Sequence, residues 1–171
     1  MPTWSGSSGD IQFVSVLPHE HHHQLEALLF FNRCQDRVRR GIEVAVERFG
    51  LPEIHACAAG LKVRVNGPAE VQCLFAVETV GRSSRPVGVV LYTRDSFDRI
   101  TVMHLVVAEE FAAGGSRADS QLLLRLVNAI RRVARTTTGI RHVELLYSGC
   151  RSTRLVLRQL NATSSRSLMS S

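Results

Sequence analysis

RITVMHLVVAEEFAAGGSRADSQLLLRLVNAIRRVARTTTGIRHVELLY, residues 99–147, is the stretch on which the fold turns. An apolar run at 99–108 leads into a loop carrying Gly114 and Gly115. Leu122, Leu123, Leu126, Val127, Ile130, Val133 and Ala134 then recur at helical spacing, which predicts an amphipathic helix over 120–136. The run 140–147 returns as a strand. A strand, a glycine-containing turn, a helix and a return strand make a βαβ unit, expected to close as a right-handed parallel crossover. Ser116 with Asp119 fits a helix-capping signature, Arg131, Arg132 and Arg135 suit the negative helix end, and Gly139 stops it.

Upstream, EVQCLFAVET (70–79), PVGVVLYT (86–93) and RITVMHLVVA (99–108) read as strands. The connections VGRSSR and RDSFD are too short for anything but antiparallel neighbours, so the three runs predict a meander. A first strand is expected at 11–18, closed by Pro18, followed by helices at 20–34 and 36–49. Gly41 inside the second costs about 1 kcal/mol against alanine and weakens the expectation of an unbroken helix. Residues 53–68 give only a short strand at LKVRV, and 151–160 (RSTRLVLRQL) read as a last short helix. The expected organisation is a loose arm at 1–10, one domain at 11–160 and a disordered serine-rich tail at 161–171.

At 171 residues the chain is long enough to bury a real core as one domain. Its 44% hydrophobic and 21% charged residues are ordinary for a globular protein. Charge interrupts every apolar run short of the roughly 20 residues of a membrane span, so no membrane partner is expected. MPTWSGSSGDIQF lacks a basic start followed by an apolar core, so the expected compartment is the cytoplasm rather than the secretory route. Four scattered cysteines without a CxxC pair read as free thiols. The net charge of +6 invites nucleic acid, but the basic residues are arginines save Lys62, spread among Glu and Asp without an aromatic-studded block. A phosphate-bearing small molecule suits that charge better than nucleic acid.

The order strand, two helices, meander, helix, strand, helix resembles the GNAT superfamily of acyl-CoA-dependent N-acyltransferases, most clearly over residues 75–162. Leu105, Val107 and Phe111 match the apolar positions of its L-x-V-x-P-x-[YF] strand, with Glu109 in place of the proline. Gly115 matches the central glycine of its [QR]-x-x-G-x-[GA] pyrophosphate loop. Ala112 stands where Gln or Arg is expected, Arg117 where a small residue is, and Leu122-Leu123 falls two positions late. Gly88 fits the recurrent V-G step of the preceding strand. VLRQLNA is similar to the C-terminal L-Y-x-K-L-G-F segment, with Leu157 at the tyrosine and Asn161-Ala162 replacing Gly-Phe. The resemblance implies an α/β (α+β) fold with a mixed sheet, a meander followed by a βαβ crossover, and helices on both faces. It implies transfer of an acetyl or related acyl group from its coenzyme A thioester to a small-molecule or peptide amine. It also implies that a strand N–H, of Val106 or Val107, polarises the thioester carbonyl. A GNAT-like domain that binds or assembles without catalysis is the alternative.

The loop itself supports coenzyme A, because a helix N-terminus carries partial positive charge and glycine admits close approach of a pyrophosphate. Gly114, Gly115 and Ser116 can offer N–H donors, and Arg117 a bidentate guanidinium, or the loop is simply a flexible capped turn. Glu109 and Glu110 are candidates for taking the amine proton, or a solvated loop edge, with Glu78 a third carboxylate. His104 alternates with Val102 and Val106 on one sheet face, as a base or as a hydrogen-bonded structural histidine. Tyr147 can protonate the leaving thiolate, or pack with its hydroxyl at the rim. Within His19, Glu20, His21, His22 and His23 only His19 with His22 or His23 shares a helix face, so no metal centre is expected. A sheet edge after Tyr147 would favour pairing with a second subunit.

Overall fold

The meander lies at the centre of the structure. In this computed structural model, which describes residues 9–146 and 153–156, it comprises β4 (Gln72–Val80), β5 (Ser83–Ser96) and β6 (Arg99–Val107). Tight turns at 81–82 and 97–98 join them, and both pairings are antiparallel. β1 (Asp10–Val14) adds antiparallel to β4 on one side. On the other, β7 (His142–Leu145) runs parallel to β6, returned by the helix α3 (Leu122–Thr136) as the βαβ reading expects. β8 (Thr153–Val156) pairs antiparallel with β7 and completes a six-stranded mixed sheet in the order β1-β4-β5-β6-β7-β8. This corrects the helix expected at 151–160, and β8 rather than β7 is the outer strand on that side. A separate hairpin, β2 (Pro52–Cys57) and β3 (Gly60–Val65), is tied back by the bridge Leu17↔Leu61.

Helices cover both faces of the sheet. α3 buries Leu122, Leu126, Ile130 and Ala134 against Ala76, Val90, Tyr92, Ile100 and Val102. On the opposite face α1 (His22–Phe30) buries Leu25, Leu28 and Leu29 against Phe75, Val89, Leu91 and Val106, with Leu61 and Val63 of the hairpin filling in. α2 (Arg39–Phe49) places Ala45 and Phe49 against Met103 and Leu146. α1 ends at Phe30, short of the expected 34; a 3-10 segment at Arg33–Val38 comes next, and α2 then continues unbroken past Gly41. Gly88 has a packing reason, since a Cβ there would meet Leu126 Cδ1 at 2.9 Å.

One irregularity re-aims the site. Leu91 pairs with His104 but Tyr92 pairs with Val102, leaving Met103 as an extra residue of β6. His104 therefore does not share a face with Val102, as plain alternation predicts. Val102 packs under α3, whereas Met103 and His104 line a space beneath α2 and Val106 packs under α1. The described cysteines Cys57 and Cys73 are free thiols. No helix among the described residues is long and apolar enough to cross a membrane.

Candidate functional site

The loop after β6 closes on itself. Glu109–Phe111 form a 3-10 turn, with Phe111 buried under it. Gly115 N–H donates to the Ala112 carbonyl (2.9 Å), Arg117 N–H to Glu110 (2.7 Å) and Ala118 N–H to Gly115 (3.3 Å). A Cβ on Gly115 would lie 2.4 and 2.5 Å from the carbonyl oxygens of Glu109 and Glu110, so its close approach is to the loop's own backbone. Gly114 has φ +86 and open space around it. A second 3-10 turn, Ala118–Ser120, then separates the loop from α3. The N-cap of α3 is Gln121, at φ 52 and without a side-chain cap, so the Ser116–Asp119 capping expectation is not realised.

Arg117 points inward. It meets Glu78 at 2.6 Å and stacks over Phe111 at 4.3 Å. Glu78 is only 1% exposed, and its second oxygen accepts from Arg85 at 2.9 Å. Arg85 in turn reaches Glu110 at 2.7 Å. Burial alone would raise the Glu78 carboxyl, but hydrogen bonds and charge from Arg85 and Arg117 outweigh it and hold the group below its ordinary value. The network ties β4, β5 and the loop together.

Beside it a cleft of about 320 Å³ opens between the C-terminal half of α1 and the exit of β6. Ala27, Leu28 and Phe31 form one wall, and Arg85, Glu109 and Glu110 the other. Asn32 donates its side-chain amide to the Val107 carbonyl at 2.7 Å, while Glu109 accepts the Arg33 N–H at 3.1 Å. Ala108 N–H donates to Val87 on β5, so the N–H and carbonyl of Val107 point away from β5. The parallel pairing of β6 with β7 runs only from Arg99↔His142 to Val102↔Leu145, with one further bond from Leu146 N–H to Val102. Among the described residues, Met103–Val107 has no partner strand on that side.

Of the sequence candidates, Glu109 and Glu110 thus line one cleft, and Val107 is joined to it through the Asn32 amide on its carbonyl. Val106 is buried under α1, and Gly114, Gly115 and Ser116 are not part of the cleft lining. His104 is buried beneath α2, away from the cleft lining, with Gln35 at 3.5 Å. Burial pushes it down to about 4, leaving the ring neutral and weakly basic at neutral pH. Tyr147, Cys150 and Leu157 lie outside the described residues. His21 is buried against Gln24, whereas His22, His23 and Glu26 bring ligand atoms within 4.8 Å of one another at the surface. Asn32, Phe31 and Arg85 are cleft residues that no linear motif marks; they reach the β6 exit from the segment after α1 and from β5 through tertiary packing. The chain matches no family model, no curated protein and no solved structure.

Proposed function

We propose that the chain is an acyl-CoA-dependent N-acyltransferase of GNAT-like construction, carrying an acetyl or related acyl group to an amine. The observation that supports this best is the parting of β6 from β7 after Val102, which leaves Met103–Val107, among the described residues, as an unpartnered edge running toward the cleft residues Ala108, Glu109 and Glu110. An open strand edge pairs with extended amide chains, and the pantetheine arm of coenzyme A is one. In that arrangement Val107 N–H, rather than Val106, polarises the thioester carbonyl. Glu109 takes the amine proton directly or through water, and Tyr147, which lies outside the described residues, is the candidate from sequence for protonating the leaving thiolate.

The internal bonding of the Gly115 loop favours a second reading, a GNAT-like domain that binds without catalysis. Titration with acetyl-CoA and with S-acetylpantetheine, followed by thiol release in the presence of amines, separates the two. Micromolar binding of acetyl-CoA with amine-dependent release is the expected result. Binding without release under any amine moves the assignment to the second reading. No binding of either thioester at millimolar concentration removes the acyltransfer reading and leaves a GNAT-like domain that serves in binding or assembly without the cofactor. Near-equal affinity for the two thioesters would show that the loop contributes nothing to the pyrophosphate.

A further inference from the structure

We infer that the cleft between α1 and the β6 exit takes a small primary ammonium carried on an apolar, aromatic-sized stem. Binding of such an ammonium is independent of the acyltransfer reading; only its conversion to an amide rests on it. The first basis is charge. Arg85 is held by Glu78 and Glu110, and Arg117 by Glu78, so the two cations are already matched by two carboxylates. Glu109 is left over: it lines the cleft, has no ion-pair partner among the described residues, and accepts a backbone N–H from Arg33. Counting the side chains that line the cleft and their ion-pair partners, with the exposed Arg33 side chain outside that lining, one negative charge is in surplus, which selects a cation and repels a carboxylate.

The second basis is the opposite wall. Ala27 and Phe31 present apolar surface over the buried Leu28, and Phe31 is 75% exposed although it adjoins the buried core of α1. A large aromatic left in water at the rim of a cleft gains when a flat apolar group covers it. The third is size. About 320 Å³ stands at the small end of ligand pockets, roughly 300–1,000 Å³. That volume suits a single ring on a short amine chain and not a folded peptide segment.

The test is a calorimetric and NMR titration of the full chain with 2-phenylethylamine. 2-Phenylethanol and phenylacetate serve as charge controls, and ethylamine as the stem control. The amine with the ring should bind tightest, with amide shifts at Ala27, Leu28 and Ala108. Glu109→Gln should weaken it about fivefold, as expected for a partly solvated ion pair, and bring it level with the alcohol. Phe31→Ala should weaken it without changing the preference for the cation. Phenylacetate binding as well as the amine, or ethylamine matching it, overturns the assignment. A separate acetyl-CoA titration isolates the underlying reading. If the thioester binds and the ring amine does not, the cleft assignment fails and the acyltransfer reading stands. If the ring amine binds and no thioester does, the cleft assignment holds and the acyltransfer reading fails.

Discussion

His104 answers the cost of burial by giving up its charge, whereas Glu78 keeps its charge by recruiting two arginines. The His104 ring shares its space with Ile42, Ala45, Val46 and Leu91, an apolar setting that disfavours the imidazolium. His104→Gln should cost about 1–2 kcal/mol in denaturant unfolding by loosening that contact, and leave acetyl-CoA affinity unchanged because the residue faces α2 rather than the cleft. A large loss of turnover in a stably folded variant would restore it as a base. Glu78→Gln removes the centre of the Arg85–Glu78–Arg117 network. A fully buried pair broken on one side costs about 3–5 kcal/mol. Both arginines reach water here, so about 2 kcal/mol is expected, read as a shift in urea midpoint at constant slope. An unchanged midpoint would mean that the network positions the loop without stabilising the fold.

At the scale of the element, β4, β5, β6 and α3 were legible because each repeats one period over most of its length. Alternating Phe75 and Ala76, or Leu91 and Tyr92, face opposite layers, and Leu122, Leu126 and Ile130 stay on one helical stripe. The rest lacked such a mark. Pro52–Cys57 is only partly buried and shows no clean alternation, so β2 could not be told from loop. RSTRLVLRQL satisfies helical and extended spacing alike, and only pairing with β7 resolves Thr153–Val156 as a strand. The extra residue Met103 leaves no local signature, yet it moves His104 to the other face. The carboxylates of the site were legible at the strand exit, but Asn32, 75 residues from Val107 in sequence, was not. Two variants test these elements. Gly88→Val would drive a branched side chain into Leu126 and Ala76, an overpacking worth about 1–3 kcal/mol, seen as a lower thermal midpoint. Gln121→Gly relieves the left-handed backbone at the start of α3 and should raise the midpoint by about 1–2 °C, a gain of roughly 0.5 kcal/mol. Gly115→Glu, in contrast, is no clean probe of coenzyme A binding, since any Cβ there strikes the loop backbone.

For the molecule as a whole, the two buried groups make acid the condition that loosens it, and they act in sequence. The unfolded chain protonates His104 near 6.5, whereas the folded chain resists until about 4. Stability present above 6.5 is therefore lost as pH falls toward 4, by up to about 3 kcal/mol. Glu78 is depressed below its ordinary 4.5, so its contribution is present above that value and lost as pH falls through its lower folded value. The net charge is already +6 at pH 7, and protonating carboxylates adds mutual repulsion over the same lower range. These contributions differ in their response to salt. Repulsion between surface charges is screened within about 10 Å at 0.1 M, but the proton uptake of a histidine excluded from water is not. Thermal midpoints measured from pH 7 to pH 3 should fall first between 6.5 and 4, in a step that salt leaves in place and that His104→Gln removes. A second fall below 4.5 should be shallower in Glu78→Gln and partly restored by salt. If salt abolishes the upper step, surface repulsion rather than the buried ring sets the acid limit, and the closed packing of α2 over β6 loses its thermodynamic signature.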